Sequence, residues 1–219
     1  MQFNNIKTHL EAFHSIANFE KEFILTVMTD KIEDYSNIER EMNLYLKVNT
    51  SCKYKVILSY NWGGTILGLW LSYNYIKSTN TSNPYLAFFE EDFKPTNENW
   101  LIDSVQLFSS DDFIYVGESN IGRVKYGDDD GRLNSEMHKH LPKLAEFETW
   151  TDGGYYFSSI YKLNMAEEHI GIFHKGSPES KYNRLIDGIS YGEVGFPSLL
   201  HKSGFKFTAL NRHDYFIHG

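Results

Sequence analysis

Apolar side chains recur along this chain in two periods, and the alternation between them predicts an order of elements. Ile6, Leu10, Phe13, Ile16 and Phe19 fall three and four positions apart, which is one face of a helix over residues 6–19. Residues 23–29 read Phe-Ile-Leu-Thr-Val-Met-Thr and stop at Asp30, a run whose shortness and β-branched content predict a buried strand. Ile38, Met42, Tyr45 and Leu46 line one side of a helix begun near residues 35–36, and residues 54–60 read as a second strand. The turn Asn61-Trp62-Gly63-Gly64 opens a helix over residues 65–77. A third strand, Tyr85-Leu86-Ala87-Phe88-Phe89, delivers Glu90, Glu91 and Asp92 to its end, and a loop is expected at residues 94–97. Strand, helix, strand, helix, strand predicts an α/β fold with a parallel sheet covered on both faces.

The second half follows a different pattern. It predicts a helix over residues 97–108, a strand over 113–117, a polar turn rich in glycine and acid at 127–131, a helix over 162–169, and a last strand over 205–209. Between these lie Trp150-Thr151-Asp152-Gly153-Gly154 and Gly192-Glu193-Val194-Gly195-Phe196-Pro197, the latter leading into a helical segment. No Pro- or Ser-rich linker, repeat or low-complexity stretch divides the 219 residues, so one domain is expected over 1–219.

Composition narrows the classes. At 41% hydrophobic the chain can bury one sizeable core. A formal charge of -8 argues against a duplex nucleic-acid partner, which would require a net basic face. The single cysteine, Cys52, excludes an internal disulfide framework and fits a reducing, cytoplasmic compartment. Neither a basic leader followed by an apolar stretch nor a window long enough to span a bilayer is present, so a soluble protein without a transmembrane segment is expected.

The acids after the third strand are the strongest chemical signal. Carboxylates beside a core are costly to desolvate, and a divalent cation with hard oxygen ligands offsets that cost. Glu90 and Asp92 form an acid-x-acid unit whose side chains would share one face of a strand, a geometry suited to a metal-bound diphosphate. Gly63 and Gly64 would let the backbone approach a nucleotide at a helix N-terminus, with Asn61 beside them. Trp150 offers a flat apolar face for a sugar ring, and Gly153 and Gly154 allow a tight bend around Asp152. Glu193, at the start of a helical segment, is a candidate general base for an acceptor hydroxyl, with Asp152 as the competitor. The helix dipole alone would also favour an acid at Glu193. Arg123, Lys125, Lys175 and Arg212 are candidates to neutralise a diphosphate.

Taken in order, these features resemble the GT-A fold glycosyltransferases, which transfer a sugar from a nucleotide diphosphate to an acceptor. The residues that carry the resemblance are Thr26 to Thr29 at the first strand end, Asn61-x-Gly63-Gly64, Glu90-x-Asp92, Asp152-Gly153-Gly154 and Gly192-Glu193. Glu90 stands where the family usually has the first Asp of Asp-x-Asp. The resemblance implies a single-domain, GT-A-like mixed sheet with a nucleotide-binding half over about 20–100 and an acceptor-side half over about 101–219. It implies Mn2+ or Mg2+ held by Asp92 and Glu90, with a C-terminal histidine, His213, completing the shell and His218 and His174 as rivals. Thr26, Met28, Thr29, Glu90 and Glu91 would then face a nucleotide-sugar donor, a UDP-sugar by expectation, and the acceptor would be a glycan or glycoprotein. Two other classes remain open on the sequence: a nucleotidyltransferase acting on sugar phosphates, and a non-catalytic carbohydrate-binding module.

Overall fold

In a computed structural model of the chain, the described residues are 3–15, 21–29, 32–60, 64–79, 85–109, 113–118, 122–124, 149–151, 154–170, 200–201 and 203–218. They form a mixed α/β protein with several small sheets. The first part runs α1 (Phe3–Ser15), β1 (Glu22–Met28), a 3-10 turn (Ile32–Asp34), α2 (Tyr35–Asn49), β2 (Lys53–Ser59), α3 (Gly64–Ser78) and β3 (Tyr85–Phe89). Then come β4 (Phe93–Pro95), α4 (Trp100–Phe108), β5 (Phe113–Glu118), β6 (Gly122–Val124), β7 (Thr149–Thr151), β8 (Tyr155–Ser159) and α5 (Ile160–Ile170). The chain closes with β9 (Lys206–Leu210), α6 (Arg212–Tyr215) and β10 (Phe216–His218).

The α1 helix buries Leu10 against Met42 and Leu46 of α2 and Val56 of β2, the positions at which helical period and strand alternation place apolar side chains. Met42 and Leu46 have no solvent exposure, and each such side chain contributes roughly 1.5–3 kcal/mol relative to an exposed one. β1 and β2 pair in parallel from Glu22↔Lys53 to Met28↔Ser59, as a crossover connection through α2 allows.

The expectation that the first three strands share one parallel sheet is corrected. β3 pairs with β8, antiparallel, in a four-stranded sheet of order β3-β8-β5-β9 whose β5 and β9 run parallel. The cause is aromatic pairing across the ladder. Phe89 lies opposite Tyr155 with ring centroids 4.8 Å apart, and Tyr85 stacks on Phe157 at 5.4 Å; such cross-strand pairs stabilise one register over others. The α3 helix is apolar on nearly every side and joins the two sheets. Leu67, Leu69 and Tyr73 are buried in it, and a Cβ at Gly68 would come 3.2 Å from both Thr26 of β1 and Phe88 of β3.

A second correction concerns residues 94–97. Phe93, Lys94 and Pro95 form the strand β4, which pairs antiparallel with β10 in the register Phe216↔Pro95, Ile217↔Lys94 and His218↔Phe93. Pro95 is tolerated there because a two-stranded ladder leaves an outer edge on which no N–H is required. Among the described residues no helix is long and apolar enough to cross a membrane.

Candidate functional site

The acid motif begins where the β3–β8 ladder ends. After the pair Phe89↔Tyr155, the Glu90 N–H donates to the Gly154 carbonyl at 2.9 Å, and the Phe93 N–H then returns to the Glu90 carbonyl at 3.2 Å. Residues 90–93 therefore form a turn. This corrects the expectation that Glu90 and Asp92 share one face of a strand: the ladder runs out at Gly154, and the backbone groups of the acids close on one another. Glu90 and Asp92 are half-buried and Glu91 is exposed.

Gly154, from the glycine pair expected on the acceptor side, is buried against this turn. A Cβ at that position would come 2.8 Å from the Cβ of Phe93 and 3.2 Å from the Cβ of Glu90, so the packing admits only glycine. Just upstream, β7 pairs antiparallel with β6 and sets Trp150 opposite Arg123. The β3–β8 pairing thus brings the acid motif and one glycine of the Trp-x-Asp-Gly-Gly segment together.

The C-terminal segment reaches the same place. The Thr96 N–H donates to the Tyr215 carbonyl at 2.8 Å, and the Asn97 side-chain amide to the Asp214 carbonyl at 3.3 Å. The Arg212 guanidinium stands 5.7 Å from the centre of the Phe93 ring, beside the acid turn. His213 is exposed on α6, its N–H bonded to the Asn211 side-chain carbonyl at 3.2 Å. The backbone of His218 lies opposite Phe93, the residue after Asp92. From the other side His9 of α1 joins its Nε2 to the Phe93 carbonyl at 2.7 Å. His9 escaped the sequence reading because nothing local marks a helix face that docks on residues so far downstream.

Among the described residues, no group of three or more His, Cys, Asp or Glu side chains is arranged to hold a metal ion, so Asp92, Glu90 and His213 are not assembled into a ready-made triad. A cation of the Mg2+ type binds through one or two carboxylates and completes its shell with substrate phosphates and water; Glu90 and Asp92 are the half-buried carboxylates that this turn offers.

The proposed nucleotide residues divide. Thr29 sits at the joint end of β1 and β2, its N–H bonded to the Ser59 carbonyl at 3.0 Å. Met28 packs on the main core, and Thr26 lies inside β1 against α3. Gly64 is the first residue of α3, as the glycine pair suggested. A cavity of about 420 Å³ between β1 and β3 has both Thr26 and Glu91 in its lining. Asn61, Gly63, Asp152, Gly153 and Glu193 lie outside the described residues, as do Lys125, His174 and Lys175.

Two tyrosines hold the floor. Tyr155 is fully buried and shares a 2.7 Å hydrogen bond with the Ser104 hydroxyl; burial pushes its pKa up, and the Ser104 bond opposes that only in part. Tyr215 donates to Asp103, and that bond, followed by burial, raises its pKa above the ordinary value near 10.

No model of a known protein family matches the chain, and no curated protein matches it in sequence.

Proposed function

We propose that this chain is a GT-A-type glycosyltransferase that moves a sugar from a nucleotide diphosphate, a UDP-sugar in the first instance, to a hydroxyl of a glycan or glycoprotein. The observation that carries the reading is the 2.9 Å bond from the Glu90 N–H to the Gly154 carbonyl. Through it, an acid turn suited to a metal diphosphate and Gly154, from the segment expected on the acceptor side, become neighbours although they come from opposite halves of the chain.

Asp92, with Glu90, would hold Mn2+ or Mg2+, which when bound neutralises charge on the diphosphate as the sugar leaves. Arg212, beside the same turn, and Arg123 would add positive charge to the diphosphate site. Trp150 and Gly153 would serve the acceptor side. The acceptor hydroxyl attacks the anomeric carbon and gives its proton to the carboxylate of Glu193 or Asp152. The bond from that carbon to the diphosphate oxygen breaks, and the nucleotide diphosphate departs with the electron pair. A side-chain base opposite the leaving group makes inversion the expected outcome.

A thermal-shift series with nucleoside diphosphates and nucleotide sugars, each without metal, with Mn2+ and with Mg2+, tests the reading. Ligand at a hundred times its Kd stabilises by about 2.7 kcal/mol, so a melting shift of several degrees that requires both nucleotide and metal is expected. No shift with any nucleotide in the presence of either metal would overturn it.

A further inference from the structure

β1 and β3 share a layer without pairing. On one face Leu86 and Phe88 of β3 pack in the core cluster of α3, and Thr26 of β1 meets the same helix at Gly68. On the opposite face Phe23 and Leu25 of β1 pack with Leu10 of α1, while Ala87 and Phe89 of β3 pack with Trp100 and Leu101 of α4. Among the described residues β1 pairs only with β2 and β3 only with β8, so each leaves its other edge unpaired. The two strands stand farther apart than the roughly 4.8 Å of paired neighbours. All of residues 22–26 and 85–89 line the cavity between them. Successive side chains on a strand point to opposite faces, so five consecutive residues line one cavity only where it runs along the strand edge. Its charged side chains lie by the strand ends. Lys21 bonds the Phe13 carbonyl at 2.7 Å, Glu22 accepts from Tyr75 at 3.0 Å and His9 bonds the Phe93 carbonyl, whereas Glu91 stands exposed just past β3.

We infer that this cavity takes up an extended segment of a partner protein as an inserted strand, hydrogen-bonded to β1 on one side and to β3 on the other. Two facing rows of backbone N–H and C=O groups are the chemistry on offer, and an extended peptide is the ligand that presents both groups to both rows. Helices cover the two faces of the layer, so the segment is aliphatic on both sides. Its side chains towards α3 are small, because a Cβ on Gly68 would already lie 3.2 Å from both Thr26 and Phe88. Ala12, Leu101 and Val105 on the other face leave room for valine. Antiparallel ladders are the more stable kind, so the segment runs against β3, and a basic residue at its N-terminal end meets Glu91. The inference stands apart from the glycosyltransferase reading, since its test uses neither nucleotide nor metal.

The test is calorimetric titration of the whole chain with the acetylated and amidated peptide Lys-Val-Ala-Val-Ala-Val, held below its aggregation concentration. Saturable one-to-one binding is expected. On an extended peptide the alanine N–H groups point to one neighbouring strand and the valine N–H groups to the other. N-methylating the alanines alone, or the valines alone, should therefore weaken binding about tenfold or more in each case. Glu91→Lys should weaken it about two- to fivefold, and glutamate in place of the peptide's lysine should restore it. Ala12→Trp and Ile76→Trp fill the cavity from opposite faces and should each abolish binding while leaving the far-ultraviolet circular dichroism unchanged. Having two such variants guards against one that fails to fold. Absence of saturable binding, or full affinity in a folded cavity-filling variant, would overturn the inference. So would a loss on N-methylation of one set alone, which places the peptide on a single edge, or of neither, which leaves the backbone out of the contact. Peptide binding that fades as the protein concentration rises would assign the cavity to a second copy of this chain instead.

Discussion

Gly154 and Phe93 touch so closely that no side chain fits between them: a Cβ on Gly154 would lie 2.8 Å from the Cβ of Phe93. The Phe93 Cβ is fixed by its own backbone, by the β4–β10 ladder and by a ring packed 5.0 Å from that of Phe216. It cannot yield as the tip of a flexible side chain could. Gly154→Ala should therefore destabilise the protein by about 1–3 kcal/mol, the usual cost of overpacking. The urea midpoint reports this directly, and an unchanged midpoint would mean that the acid turn is looser than this contact requires.

Asp92→Asn replaces a charged oxygen with a neutral amide on a half-buried turn residue. Metal-dependent nucleotide binding should fall by more than a hundredfold, while the melting temperature without ligand stays within a few degrees of wild type. Titration with Mn2+ and a nucleoside diphosphate measures the first quantity. Wild-type affinity in the variant would remove Asp92 from the metal site.

How far the sequence foretold this arrangement depends on the range of the interaction. Elements set by local period are legible: Met42 and Leu46 face the core where the helical spacing puts them, and Gly64 opens α3 at the predicted glycine pair. Partners chosen from far along the chain are not. Nothing near residues 85–89 says that Phe89 will meet Tyr155 rather than β1, because that choice depends on aromatic matching with a distant strand. The same holds for Phe93–Pro95, which becomes a strand only because Phe216–His218 returns to pair with it. At the candidate site the residue types were readable but the geometry was not. The acids follow the third strand as expected, yet they lie on a turn because the ladder stops at Gly154.

The Tyr215–Asp103 bond predicts a specific alkaline weakness. Because that bond raises the folded-state pKa of Tyr215 above its unfolded value near 10, the folded form keeps its proton where the unfolded form has lost it. The stabilisation is complete below pH 10 and declines as pH rises from there through the raised folded value. Tyr215→Phe lacks this titration. Wild type should exceed the variant in urea midpoint at pH 8, and the gap should narrow as pH is raised above 10. Other tyrosines with raised values, such as Tyr73 and Tyr155, titrate in both proteins and cancel in the difference. A gap constant across that range would show that the hydroxyl contributes no pH-linked stability.

Trp150 tests the division of labour between the two halves. Its backbone pairs with Arg123 in the β6–β7 ladder and lies four positions before Gly154, which abuts the acid turn. If the tryptophan forms part of the acceptor surface, Trp150→Ala should lower transfer to acceptor at least tenfold while nucleotide binding and the acceptor-free hydrolysis of donor remain nearly intact. A tryptophan that served only to pack the core would behave otherwise. Its truncation would cost roughly 3–5 kcal/mol, and melting temperature, donor hydrolysis and transfer would all fall together. Measuring these three quantities on one preparation separates the cases, since a stability loss acts on every activity of the folded chain whereas a lost sugar platform acts on transfer alone. A joint fall of all three would withdraw Trp150 from the acceptor site.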